Sequence, residues 1–137
     1  RAVAQHLHDH PDCAIATACH PINDDTVINN PNVVKVVLDK HDNALYFSRA
    51  AIPFARDAET VTRSMLRHIG IYAYRAGFLR DFCQLPPATI EQTEALEQLR
   101  ALWHGYKIGV TITDDAPPGG VDTEQDLQIA RERFVQI

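Results

Sequence analysis

The sequence predicts an α/β fold built on one mixed sheet, and three observations carry that reading. Stretches with the alternation or β-branched content of strands (Ala14 to Cys19, Val33 to Leu38, Ala44 to Ser48, His68 to Tyr74, Lys107 to Thr113) are interleaved with stretches whose apolar residues recur every three or four positions. Two of the strands, 33–38 and 44–48, follow one another across the turn Asp39-Lys40-His41-Asp42-Asn43, so the sheet contains a hairpin and is not purely parallel. The 137 residues hold no internal repeat and no composition shift that would split them into two domains.

Each element has its own justification. Ala2 to Asp9 reads as a helix, with Val3 and Leu7 on one face and Pro11 as its stop. AIATAC, 14–19, is an apolar run of strand length, and Pro21 to Pro31 is a polar loop. Arg56 to Arg67 lacks periodicity and is expected to be a mobile surface loop. HIGIYAY, 68–74, alternates strictly. Ile69, Ile71 and Ala73 are expected to face the core, and His68, Gly70, Tyr72 and Tyr74 the other side. Arg75 to Leu85 is a helix closed by Pro86-Pro87. Thr89-x-x-Gln92 has the form of a capping box opening a further helix, striped by Leu96, Leu99 and Leu102-Trp103, with Gly105 at its C-terminal end. A turn at Pro117 to Gly120 leads into a last helix from about Thr123, with Leu127, Ala130 and Phe134 on one face.

Composition excludes several classes. With 45% apolar and 23% charged residues, and only 6 Gly and 8 Pro, the chain is neither disordered nor low-complexity. No apolar run approaches the length of a membrane span. A net charge of −5 is opposite to what a sequence-independent nucleic-acid binder needs. Three widely spaced cysteines (Cys13, Cys19, Cys83) without a CxxC read as reduced thiols of a cytoplasmic protein. Residue 1 is Arg, with no initiator Met and no secretory h-region, which reads as a fragment or clipped product.

Few motifs carry chemistry. His6-x-His8-x-His10 has a two-residue spacing that does not gather ligands on one helix face, so surface histidines are expected rather than a metal site. Cys83 lacks a neighbouring base and reads as a small buried hydrophobe. Walker, GxSxG and HExxH motifs are absent from the sequence. His68 and Tyr72, four apart on one strand, stand about 13 Å from each other along it. That separation suits the two ends of a polar ligand better than one metal, while spacing by itself favours a solvated sheet face. Asp122 follows a strand and a Pro/Gly turn and precedes a helix; it is either an N-cap or a hard-cation ligand at the mouth of the sheet. Glu97-Gln98 begins as an ordinary helical pair, with Glu97 in reach of Arg100 or Arg133.

Four blocks occurring in order add to this reading: NPNVVKVVLDKHDNALYFSRAAIPFARD, HIGIYAYRAGFL, LEQLRALWHGYKI and GVDTEQDL. Together, from about Cys13 to Phe134, they closely resemble the C-terminal portion of the CMP-Kdo synthetase (3-deoxy-manno-octulosonate cytidylyltransferase) family. The resemblance implies a nucleotide-diphospho-sugar-transferase-like, Rossmann-like mixed sheet. It also implies a Mg²⁺-dependent enzyme that joins CTP to Kdo, giving CMP-Kdo and pyrophosphate, in the cytoplasm, for lipopolysaccharide synthesis. Carried over residue by residue, His68, Tyr72, Glu97 and Gln98 match the family's sugar-holding positions. Asp122 of GVDT matches its C-terminal magnesium-binding aspartate. Arg49 is a weaker match for a partner of the Kdo carboxylate, since a guanidinium fits a carboxylate fork; a surface ion pair is the other reading. Two departures stand out: Ala-Pro-Pro-Gly-Gly precedes Asp122 where relatives often carry Gly-Thr-Gly, and Phe54 replaces a commoner Trp.

On this resemblance residues 1–137 are the sugar-binding and dimerising portion of a cytidylyltransferase domain, without the N-terminal portion that holds most cytosine contacts. The expectation is a homodimer that does not bind CTP productively from this portion alone. The alternatives are a cytidylyltransferase for another acid sugar and a non-catalytic dimerisation fragment.

Overall fold

The structure, a computed structural model, describes residues 1–23, 25–56 and 65–114, together with positions 124, 127–128 and 131–132. Among the described residues, five strands form one sheet: β1 (Cys13–Pro21), β2 (Lys35–Leu38), β3 (Ala44–Ser48), β4 (Leu66–Tyr74) and β5 (Lys107–Ile112), in the order β3-β2-β4-β1-β5. β1 and β5 are parallel, and the β1–β4, β2–β3 and β2–β4 pairs are antiparallel. The expected mixed sheet is present, and the hairpin that predicts it forms between β2 and β3. Its turn is held by Asp39, whose carboxylate accepts the backbone N–H groups of His41 and Asn43, which leaves Asp42 left-handed at φ 58°.

Among the elements described along residues 1–114, four α-helices flank the sheet: α1 (Ala2–Asp9), α2 (Ala76–Phe82), α3 (Thr89–Glu94) and α4 (Gln98–Trp103). α1 lays Val3 and Leu7 against Cys13, Ala16 and Ala18, with Ile69 and Ala73 beside them. The larger core lies on the opposite face, where Ile15, Cys19, Val36, Phe47 and Ile108 meet Phe78, Leu96 and Leu99. Tyr72 and Tyr74 pack against this larger core, whereas Ile71 is exposed. The strand 68–74 therefore has two covered faces: Ile69 and Ala73 meet a core as expected, but it is the smaller one, and the face expected to lie away from the core carries Tyr72 and Tyr74 onto the larger one. Alternation fixes which residues share a face; what covers each face depends on helices distant in sequence.

Several helix expectations change. The stretch from 89 to 103 is two helices rather than one, broken at Ala95, which is left-handed at φ 50°. Arg49 explains the break: its guanidinium donates to the carbonyls of Glu94 and Ala95, which a continuing helix would need for its own ladder. The cap of α3 starts one residue earlier than predicted. Glu91, not Gln92, returns to the backbone, accepting the N–H of Ala88. Gly105 ends α4 as expected, at φ 80°, with the N–H of Tyr106 reaching back to the carbonyl of Ala101. Trp103, expected on the apolar stripe, is 57% exposed, and Cys83 is exposed rather than buried.

His8 and His10 are exposed, as the surface reading expects, while His6 is half-buried; the spacing argument changes for one pair, His6 and His10. Being four apart, they do share a face, and their rings stack at 4.2 Å. His6 lies so close to β5 that a Cβ on Gly109 would meet its Nε2 at 2.4 Å. A bare backbone at 109 is what lets α1 sit down on the sheet. The loop expected at 56–67 gives way at Leu66 to β4; 57–64, the turn at Pro117 to Gly120 and most of the last helix, including Ala130 and Phe134, lie outside the described residues.

Candidate functional site

The polar side of β4 is shaped by an irregularity in its pairing with β1. Ala16 pairs with Ala73 and Ala18 with Ile69, so a single residue of β1, Thr17, faces Gly70, Ile71 and Tyr72 of β4. Two extra residues are accommodated in β4. The bulge draws His68 and Tyr72 together: their ring centroids are 5.4 Å apart, not spread along a flat strand as the spacing suggests. Thr17 is fully buried beneath the bulge, with its Oγ1 2.8 Å from the carbonyl of Ile71, 3.2 Å from that of Ile69 and 2.9 Å from His68 Nε2.

The His68 ring meets Phe47 edge-on at 4.9 Å, and Tyr72 continues into Tyr74 at 5.8 Å. Burial pushes the His68 imidazole down to about 4, so the ring is neutral at ordinary pH. Burial, and then the nearby carboxylate of Glu97, raise the Tyr72 phenol well above its usual range, so it stays protonated. Glu97 acts on Tyr74 in the same way. Glu97, immediately before α4, is thus within electrostatic reach of Tyr72 and Tyr74, while His68 meets Tyr72 ring to ring. Gln98, the first residue of α4, is buried.

Glu97 has no claim on Arg100, whose guanidinium is held by both carboxylate oxygens of Glu91 and lies over the Phe82 ring at 5.1 Å. Arg133 lies outside the described residues. Arg49 donates to the carbonyls of Pro31, Glu94 and Ala95, while its own N–H and the Ser48 hydroxyl bind the Glu94 carboxylate. Neither a surface ion pair nor a free fork, its guanidinium clamps the turn that carries Glu97 and Gln98. Beneath it Lys35, fully buried, donates to the carbonyls of Asn30, Val33 and Arg49.

Asp122 lies outside the described residues, and among those described no group of three or more His, Cys, Asp or Glu side chains could hold a metal ion. The described donors thus do not by themselves make a magnesium site. A separate cleft, lined by Asp12, Arg75, Asp81 and Tyr106 among others, contains none of the predicted site residues. Its Arg75 is already committed to the carbonyls of Leu7, His10 and Cys13. Sequence reasoning missed Thr17, Lys35 and Glu94. The first sits inside an apolar run, and only a polar residue interrupting AIATAC could have flagged it.

A family model described as Cytidylyltransferase matches residues 1–108. The chain belongs to the cytidylyltransferase family. It is 57% identical over 131 residues to the 3-deoxy-manno-octulosonate cytidylyltransferase of Polynucleobacter necessarius subsp. necessarius (strain STIR1), an alignment covering 95% of this chain and 52% of that protein. It also resembles a solved structure of CMP:2-keto-3-deoxy-manno-octonic acid synthetase complexed with CTP, with a TM-score of 0.90 and 40% identity, covering 98% of this chain and 54% of the other. This cytidylyltransferase chain thus spans about half the length of the relatives it matches. Among its described residues no helix is long and apolar enough to cross a membrane.

Proposed function

We propose that this cytidylyltransferase chain carries the acid-sugar site of an enzyme that transfers CMP from CTP to Kdo, releasing pyrophosphate. The observation that supports it best is the bulged strand, which sets His68 and Tyr72 5.4 Å apart with Glu97 close by. A neutral imidazole, a protonated phenol, a carboxylate and the Gln98 amide offer mixed donors and acceptors, which is what a polyhydroxylated ring requires. None of them is placed to shuttle protons; their role is to fix the attacking sugar hydroxyl in line with the α-phosphorus of CTP. The names of the relatives supply the substrate pair.

Mg²⁺ belongs to this proposal through Asp122, where it would neutralise triphosphate charge; no step is derived through it. A homodimer built on the β2–β3 hairpin is part of the same reading, supported by Leu45 of β3, 59% exposed on the outermost strand of the sheet. So are a cytoplasmic location and a place in lipopolysaccharide precursor synthesis.

The test is pyrophosphate release by the full-length protein from CTP, Kdo and Mg²⁺. Tyr72→Phe and Gln98→Ala are each expected to raise the KM for Kdo about tenfold, the scale of one hydrogen bond, with the KM for CTP unchanged. Equal turnover with another eight- or nine-carbon acid sugar would sink the assignment to Kdo.

A further inference from the structure

We infer that Thr17 is a positioning residue for the sugar site: its hydroxyl fixes the tautomer of His68 and the bulge that brings His68 to Tyr72. The inference rests on the reading of His68 as a sugar ligand, but its physical basis is independent of any sugar. A threonine hydroxyl has one proton and can accept two hydrogen bonds. The carbonyl of Ile71, 2.8 Å away, has only acceptor capacity and takes that proton, with the carbonyl of Ile69 behind it at 3.2 Å. Thr17 Oγ1 must then accept from His68 Nε2 at 2.9 Å, so Nε2 carries the hydrogen. The other nitrogen, Nδ1, is left as the bare acceptor of a neutral ring. A sugar hydroxyl approaching His68 at Nδ1 would donate to it, and a ring in the opposite tautomer could not receive it.

The same hydroxyl also holds the backbone. Gly70, Ile71 and Tyr72 are the three residues that β4 sets opposite Thr17 alone, and the Ile71 carbonyl in the middle of the three accepts from the hydroxyl. Thr17 places this polar partner under the bulge from the middle of an otherwise apolar run. Valine has nearly the same shape and none of this chemistry. Thr17→Val would take the hydroxyl away from His68 Nε2 and from the Ile71 carbonyl, whereas Thr17→Ser keeps it.

The experiment uses the full-length protein and reads the His68 ring by ¹⁵N NMR alongside steady-state kinetics. The wild type is expected to show the Nε2–H form of His68 between pH 5.5 and 8, a range chosen to lie above the ring's titration near 4. Thr17→Val is expected to mix the two tautomers and raise the KM for Kdo about tenfold, the worth of one hydrogen bond, with the KM for CTP unchanged. Thr17→Ser is expected to restore both. A wild-type ring in the Nδ1–H form overturns the inference, and this measurement stands even if Thr17→Val fails to fold. A changed tautomer with an unchanged KM for Kdo also overturns it, while leaving the sugar site intact. Absence of any reaction with Kdo in the wild type, by contrast, removes the site reading itself and the positioning role with it.

Discussion

His68 shows how burial sets the chemistry of one residue. Its ring lies against Phe47 and Tyr72 and titrates near 4, below the 6.5 of a free histidine. In the unfolded chain His68 takes up a proton as the pH falls through 6.5, while the folded ring takes one only near 4. Between those values the unfolded state binds more protons, so the stability His68 contributes is complete above pH 6.5 and is lost as the pH falls towards 4. At about 1.36 kcal/mol per unit, the loss over that interval is roughly 3 kcal/mol. Urea denaturation at pH 7 and pH 4.5 is expected to show this drop, and His68→Gln to flatten it. His6, also lowered by burial, adds in the same direction. Equal pH dependence in the variant and the wild type would mean that His68 is not the group responsible. The sequence made His68 and Tyr72 visible because alternation along HIGIYAY puts them on one face. It could not show Thr17, because a hydroxyl buried in a strand interior looks like any β-branched filler until its partners are known.

At the scale of elements, the decisive feature is a broken helix. The run of Leu96, Leu99 and Leu102 predicts one continuous helix, and each of those leucines is at least partly buried as the pattern requires. The pattern carries no sign of the turn at Ala95, because the turn is imposed by Arg49 and Ser48 from a strand some 45 residues earlier. Glu97 and Gln98 start α4 directly after that turn, so their placement depends on it. Arg49→Lys separates two roles for this residue. A lysine keeps the charge but cannot reach three carbonyls with a planar fork. If Arg49 is a clamp, the variant loses about 1–3 kcal/mol of stability without any sugar present, measured by urea denaturation. If it instead pairs with the sugar carboxylate, stability is unchanged and only Kdo affinity falls. The clamp geometry predicts the first result.

For the molecule as a whole, the fold class and the hairpin were legible because they follow from local periodicity. The coverage of both sheet faces was not, since it depends on α1 packing Val3 and Leu7 on one side while α2 and α4 close the other. The strings resembling CMP-Kdo synthetases pointed to the family to which the chain belongs, and did so through residues on β4 and α4 that the fold brings together. The central claim is that this assembled polar face receives Kdo. It is tested most directly by titrating Kdo into ¹⁵N-labelled 137-residue protein and following its amide and ring resonances. The account predicts saturable shifts at His68, Tyr72 and Gln98, with His6 and Gly109 on the opposite side of the sheet unmoved. Saturable shifts confined to other residues, or none at these three when Kdo is in large excess, would contradict it.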